Sequence, residues 1–460
     1  MSKTTATTVA AVAADATVPA GLRISVYGTG YLGATHAVSM AELGFEVMGV
    51  DTDANKVAAL AAGKVPFFEP GLPELLEKQL ATGRLTFSTD LEEAARWGDV
   101  HFICVGTPQM KTSHAANLAY VEAATSTVAK NLTKNGVIVG KSTVPVGTAA
   151  RLRELVAGLA PEGVEVDLLW NPEFLREGKA VDDTLHPDRI VLGGTNARTE
   201  AIMREVYAGP IAEGTPVVVT DLPTAELVKV SANAFLATKI SFINAIAGVC
   251  EAAGADVTVL ADALGHDVRI GRQFLDAGLG FGGGCLPKDI RALMHRSNEL
   301  GAYRAAALLQ QVDEINMGQR ERVIDMTMEA LGGSVLNRRI CVLGAAFKPL
   351  TDDVRDSPAL NVAAALHLRG AQVTVFDPEA GDTARASFPT LSYATSAEEA
   401  VEGTDVVLML TEWKQFTSLD PAALAKVATS PRIIDARGKL DPAEWRAAGW
   451  EFRGLGRTAA

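Results

Sequence analysis

Leu22-Arg-Ile-Ser-Val-Tyr27 runs directly into Gly28-Thr-Gly-Tyr-Leu-Gly33, and an Ala-rich stretch follows as far as Gly44. An apolar strand, a GxGxxG turn and a helix in that order are the fingerprint of a dinucleotide-binding βαβ unit. Glu46-Val-Met-Gly-Val-Asp51 supplies a second strand that ends in an acid 18 residues (51 minus 33) beyond the last glycine. That is the offset of a carboxylate that takes ribose hydroxyls, and an acid there favours NAD over NADP. A bare GxGxxG often marks no more than a tight turn, so the flanking strands and Asp51 carry the reading.

Further apolar runs at 100–105, 136–140, 166–170, 189–192 and 217–220 alternate with helical stretches, the pattern of a parallel sheet buried on both faces. Three of them end in short polar turns, Gly106-Thr-Pro108, Ser142-Thr-Val-Pro145 and Asn171-Pro-Glu-Phe-Leu-Arg-Glu177. Such turns lie at the carboxyl ends of strands, where open α/β sheets bind ligands. From Pro223 to Gly254 there is no strand signal. The spacing predicts a long helix carrying Lys229, Asn233 and Lys239, and a helical block that continues to about Leu331. Arg338-Arg-Ile-Cys-Val-Leu-Gly344 then opens a second α/β unit, with strands ending near Asp377, Leu410 and Arg437. Its first turn, Gly344-Ala-Ala-Phe-Lys-Pro349, is not GxGxxG, so a pyrophosphate of the dinucleotide kind is not expected there.

The helical block is interrupted at Gly278-Leu-Gly-Phe-Gly-Gly-Gly-Cys-Leu-Pro-Lys-Asp289. Backbone almost bare of side chains surrounds one thiol, and Pro287 suits the first turn of a helix starting beside it, where the helix N-terminus favours thiolate. Asp289 would lie one turn beyond Cys285. The plain alternative is a Gly-rich surface loop that holds a cysteine; for Lys229 and Asn233 it is a solvated helix face.

Composition narrows the classes. The 460 residues call for two or three domains. With 48% hydrophobic and 21% charged residues, the chain has the make-up of a globular protein, and no apolar run nears the roughly 20 residues of a bilayer span. A net charge of −13 disfavours nucleic acid and anionic membranes. Cysteines 104, 250, 285 and 341 are scattered, which points away from a disulfide framework or zinc site and towards a reducing cytoplasm. Residues 1–20 read as a disordered tail.

Taken together, these motifs resemble the nucleotide-sugar 6-dehydrogenases, the UDP-glucose/GDP-mannose dehydrogenase family, from about residue 22 to 453. The resemblance implies an α/β chain of two Rossmann-like, doubly wound parallel-sheet domains joined by a long central helix and helical block. Its expected divisions are an NAD domain at 21–221, a central dimerisation block with the thiol loop at 222–331, and a UDP-sugar domain at 332–460. By the same resemblance Gly28, Gly30, Tyr31, Leu32, Gly33, Asp51, Lys56, Thr107, Thr143, Glu177 and Arg355 are cofactor contacts. Glu173, Phe174, Leu175, Arg176, Lys229, Asn233, Arg269, Phe281, Gly282, Phe347, Lys348 and Arg437 are substrate contacts. Cys285 matches the nucleophile, assisted by Lys229, Glu173, Asn233, Asp289 and Thr143, and either Glu173 or Asp289 activates a water. The implied reaction is oxidation of UDP-glucose to UDP-glucuronate with NAD, in a homodimer without a metal. GDP-mannose or another nucleotide sugar is the rival substrate. A catalytically silent nucleotide-binding regulator is the rival from another class.

Overall fold

The computed structural model describes residues 21–111 and 113–457; the expected tail at 1–20 lies outside them. The chain divides into two compact units. Among the described residues, one takes 21–66, 71–107 and 117–229, the other 67–70, 108–111, 113–116 and 230–457.

The first unit is built on β1 (Arg23–Tyr27), β2 (Glu46–Val50), β3 (Leu85–Ser88), β4 (Val100–Ile103), β5 (Gly136–Gly140), β6 (Val166–Trp170), β7 (Ile190–Gly193) and β8 (Val217–Thr220). They form one sheet in the order β3-β2-β1-β4-β5-β6-β7-β8. The order reverses between β1 and β4, so a cleft opens there above the carboxyl ends. The sheet is not parallel throughout, as the continuous apolar runs had suggested. β6 and β7 meet antiparallel through Trp170 and Gly193, while β7 and β8 are parallel. An antiparallel neighbour is entered from the end at which its predecessor leaves, so no crossover is required, and residues 171–189 stay at the carboxyl end of β6.

In the second unit β9 (Arg339–Leu343), β10 (Gln372–Phe376), β11 (Ser392–Tyr393), β12 (Val406–Met409), β13 (Arg432–Asp435) and β14 (Glu451–Gly454) form a wholly parallel sheet in the order β11-β10-β9-β12-β13-β14. Its core is largely aliphatic and also takes in Trp413, Trp445 and Trp450. Helices Leu286–Glu299 and Tyr303–Ala330 belong to the same unit.

The long helix runs from Leu222 to Ala253, 32 residues. By length and composition it would reach across a bilayer, which corrects the expectation that no segment comes near that size. Its first turns are packed inside the protein, with Leu222 and Ala225 in the core of the first unit. Glu226 is 2% exposed and accepts the N–H groups of Gly147 at 2.8 Å and Ala149 at 2.6 Å. A buried carboxylate held in this way is a protein-interior arrangement, since lipid supplies no such donors.

The turns after β1 and β9 differ in what their acids do. Asp377, at the end of β10, is 6% exposed and takes five donors: the N–H groups of Ala345, Ala346, Glu379 and Ala380, and the Trp413 indole. Its acceptor capacity is spent on the protein, as befits a turn that lacks the GxGxxG pattern. Replacing it strands buried donors, so Asp377→Ala is expected to cost about 3 kcal/mol. Urea unfolding measures this, and an unchanged midpoint would show that the turn holds without its acid.

Candidate active site

Within the first unit, Gly28 (φ 88°) ends β1, and a Cβ at Gly33 would strike the Gly28 carbonyl, so the strand-to-helix turn closes only with glycine at both positions. The helix Tyr31–Glu42 begins at Gly30 without a side-chain cap and with no acid in its first turn, and the space before Gly30 is open. The first N–H groups of a helix have no acceptor within it, and with no side chain capping them they form a cradle for a pyrophosphate. Beside it Asp51 Oδ2 accepts the Thr29 N–H at 2.8 Å and the Lys56 ammonium at 2.9 Å, while Oδ1 takes only the Asp53 N–H among these bonds. Burial pushes the Asp51 carboxyl up, but Lys56 and the Asp53 and Thr29 N–H groups outweigh it, so the group sits below the usual carboxylate range. An ionised acid with acceptor capacity left on one oxygen suits ribose hydroxyls, and NAD fits this cradle. Tyr31 Oη accepts the Gly178 N–H at 3.1 Å, tying the first helical turn to the Glu177-Gly178 loop. Thr107 Oγ1 donates to the Thr143 carbonyl at 2.8 Å, joining the turns that follow β4 and β5.

At the end of β6, Asn171 is clamped from three sides. Its Oδ1 accepts from Lys141 Nζ at 3.1 Å and Tyr207 Oη at 2.6 Å, and its Nδ2 donates to the Val191 carbonyl at 2.9 Å. The clamp fixes the start of Pro172-Glu173-Phe174. Glu173 then pairs with Lys229 at 3.0 Å, with side chains 11% and 7% exposed, and its Oε2 accepts the Leu175 N–H. The Phe174 ring lies 3.8 Å from the Arg189 guanidinium and 5.7 Å from the Lys229 ammonium. Glu173, Phe174 and Arg189, with Leu32 and Leu175, line an open cavity whose wall includes Lys141 and His36. Burial, then the Lys141 charge, holds the His36 imidazole well below its ordinary value, so it is neutral. Arg176 is turned back onto Asp183 at 2.9 Å. Lys141 and Tyr207 were not singled out from sequence. The only hint was a lysine between apolar β5 and Ser142-Thr-Val-Pro145.

In the second unit the thiol loop is pinned mostly through its backbone. Gly278 N–H donates to Asn244, Leu279 N–H to the Ala436 carbonyl, and Phe281 exchanges two bonds with the Asn316 amide. Arg437 spans Gly280 O at 3.0 Å, Leu410 O at 2.7 Å and Phe347 O at 3.4 Å. Cys285 is the exposed residue that caps the helix Leu286–Glu299, with Pro287 in its first turn. Asp289 follows one turn on, its N–H bonded to the Cys285 carbonyl at 2.9 Å. It is 2% exposed and accepts from Asn233 Nδ2 and Lys288 Nζ, both at 2.7 Å. A carboxylate can only accept, so Asn233 must turn its NH₂ towards it. Lys288 is a partner that sequence reading missed, because adjacent side chains of a helix do not normally meet.

The remaining expected contacts of this unit are spread around it. Phe347 lies against Gly283, Lys348 is 5.7 Å from the Phe347 ring, Arg355 pairs with Asp353 at 2.6 Å, and Arg269 stands exposed, paired with Asp267 at 2.6 Å. Among the described residues no group of three or more His, Cys, Asp or Glu side chains is placed to hold a metal ion.

Comparison with known proteins gives this geometry a setting. Three domain models of the UDP-glucose/GDP-mannose dehydrogenase family match the chain: the NAD binding domain over 22–210, the central domain over 223–318 and the UDP binding domain over 341–442. The UDP-glucose 6-dehydrogenase TuaD of Bacillus subtilis is 43% identical over 438 residues, covering 95% of this chain and 94% of the relative. The UDP-glucose 6-dehydrogenase of Rhizobium meliloti is 40% identical over 95% of this chain and all of its own. Among solved structures, a UDP-glucose dehydrogenase from the hyperthermophilic archaeon Pyrobaculum islandicum superposes with a TM-score of 0.88 at 37% identity, covering 96% of this chain and 100% of that one.

The four cysteines should separate sharply towards an alkylating reagent. Burial pushes the Cys104 thiol up to about 12 and raises Cys341 further, and Cys250 is buried too. At about pH 8 iodoacetamide should therefore modify Cys285 alone in the folded protein. Peptide mass mapping reads the result, and equal labelling of Cys104 would contradict the burial described.

Proposed function

The chain belongs to the UDP-glucose/GDP-mannose dehydrogenase family, as NAD-dependent oxidoreductases, and on that premise we propose that it converts UDP-glucose to UDP-glucuronate with Cys285 as the covalent carrier. The observation that carries the proposal is the exposure of Cys285 at the start of a helix while the other three cysteines are buried. A pure nucleotide binder has no use for such a thiol. Residues 21–221 are assigned to holding NAD, 222–331 to the thiol loop and subunit contact, and 332–460 to the uridine diphosphate, through Phe347, Lys348 and Arg437. A reducing cytoplasm fits a chain whose cysteines form no disulfide among the described residues.

NAD, when bound, accepts the hydrides that leave C6 of the sugar. The chain's own residues manage protons and the covalent steps. The Lys229–Glu173 pair is assigned the C6 hydroxyl proton, which leaves as the alcohol becomes an aldehyde. The Cys285 sulfur adds to the aldehyde carbon and gives a thiohemiacetal; loss of its C6 hydrogen and hydroxyl proton leaves a thioester. Water then attacks the thioester carbon, the C–S bond breaks, and the thiol regains a proton as the acid leaves. Asn233, its amide oriented by Asp289, is assigned to the oxyanion, a task worth about 3 kcal/mol per donor. Glu173 is assigned the water, since it is reached by solvent, whereas Asp289 is nearly sealed and held by two donors.

The long helix leaves Phe235, Phe242 and Val249 exposed by 66%, 50% and 61%. Seven residues are close to two helical turns, so the three make one apolar stripe. We assign it to a second copy of the chain, in keeping with a homodimer. Light scattering should give twice the 48.3 kDa chain mass, and Phe242→Glu should shift it towards one chain. A wild-type monomer at micromolar concentration would refute the assignment.

Cys285→Ala tests the main proposal. Fold and NAD binding should survive, because the side chain is exposed and its loss opens no core cavity. Acid formation from UDP-glucose should fall by roughly three powers of ten or more. Activity above about a tenth of wild type would mean the thiol is not the carrier.

A further inference from the structure

The thiol loop has almost no side chains with which to keep its own shape, so the position of the sulfur is set from outside. Its three consecutive glycines each abut the segment 347–358. A Cβ at Gly282 would collide with the Asp356 carbonyl oxygen, one at Gly283 with the Phe347 ring, and one at Gly284 with the Arg355 guanidinium. Gly283 also donates its N–H to the Arg355 carbonyl at 2.9 Å. The loop is thus moulded on this segment, and the segment turns at Asp356, a non-glycine residue with φ 45°. Aspartate is among the few side chains that tolerate that left-handed backbone, and it stays there only if its surroundings insist.

The surroundings are two arginines. Arg320 donates Nη1 to Asp356 Oδ1 at 2.9 Å and Nη2 to the Asp356 carbonyl at 3.4 Å; it is 4% exposed and also bonds Asn361. Arg291 reaches Asp356 Oδ2 at 3.5 Å while holding Asp313. Arg320 lies on helix Tyr303–Ala330, and Arg291 on the helix that Cys285 caps. One carboxylate therefore joins the helix starting at the thiol, its neighbour, and the turn pressed against the glycines. Within the segment Phe347 N–H is bonded to the Asp353 carbonyl, and Ser357 Oγ to the Ala345 carbonyl, so the turn is anchored to the residues just after β9 as well.

We infer that Asp356 is a positioning residue for Cys285, acting through the Arg355 carbonyl and the glycine contacts without touching substrate. The inference rests on Cys285 being the reacting thiol, as proposed above. A mere structural ion pair would lower stability and leave the thiol's reactivity as it was.

Two readouts separate these cases, and one does not depend on turnover. In folded Asp356→Ala the iodoacetamide rate at Cys285 should change by at least about fivefold. Its kcat with UDP-glucose should fall about tenfold to a hundredfold, with KM within about threefold, the signature of a displaced reacting group. Asp356→Asn keeps the left-handed preference and one acceptor oxygen, so its labelling rate should lie between the two, at least about twofold from wild type. Wild-type labelling in folded Asp356→Ala overturns the inference, whatever substrate the enzyme takes. Should the Ala variant not fold, Asp356→Asn decides in the same way: shifted labelling upholds the inference and wild-type labelling overturns it. An active Cys285→Ala enzyme would instead sink the catalytic reading and leave the labelling result standing.

Discussion

A reactive thiol must be open to its substrate and yet held still, and side-chain-free backbone gives the first at the expense of the second. Glycines at 282 to 284 let the 347–358 segment close onto the main chain beside the exposed Cys285, but glycine is also the residue with most conformational freedom to lose. The second unit resolves this by holding the loop through its main chain. Asn244, Asn316, Arg437 and the Ala436 carbonyl take successive backbone groups from Gly278 to Phe281, and the 347–358 segment fills the space the missing side chains leave. Much of the helical block serves this task. Asn316 comes from one helix, Asn244 from another, and Arg437 from the turn after β13.

The two sheets show how one topology is turned to different ligands. In each, the strand beside the first ends in an aspartate that bonds to the turn after the first strand. Asp51 keeps acceptor capacity on one oxygen beside an uncapped helix start, which is what a dinucleotide needs. Asp377 spends its oxygens on five protein donors. Its turn is locked, so this acid is not left open to a ligand as Asp51 is.

Much of this was legible in the sequence, because the decisive signals are local. GxGxxG between strand and helix, an acid 18 residues later, and a cysteine in a glycine run before a proline are all readable from neighbours along the chain. Strands β3, β11 and β14 escaped because they are two to four residues long and owe their existence to pairing at a sheet edge rather than to an apolar run. The antiparallel junction of β6 and β7 escaped because strand direction is set by the path of the connection, not by composition. Lys141, Tyr207 and Asp356 are likewise defined by partners at least 30 positions away in the chain, beyond the reach of spacing rules. The bilayer-length helix was misjudged for a related reason. Its buried Glu226 and Lys229 interrupt the apolar run in sequence, while the helix continues through them in space.

The central claim is that the aldehyde formed by the first oxidation is held on the Cys285 sulfur for the second. Following NADH by absorbance while quantifying sugar products measures it directly. The account predicts about two NADH for each UDP-glucose consumed, acid as the product, and no aldehyde free in solution. About one NADH per sugar, with aldehyde released, would contradict it.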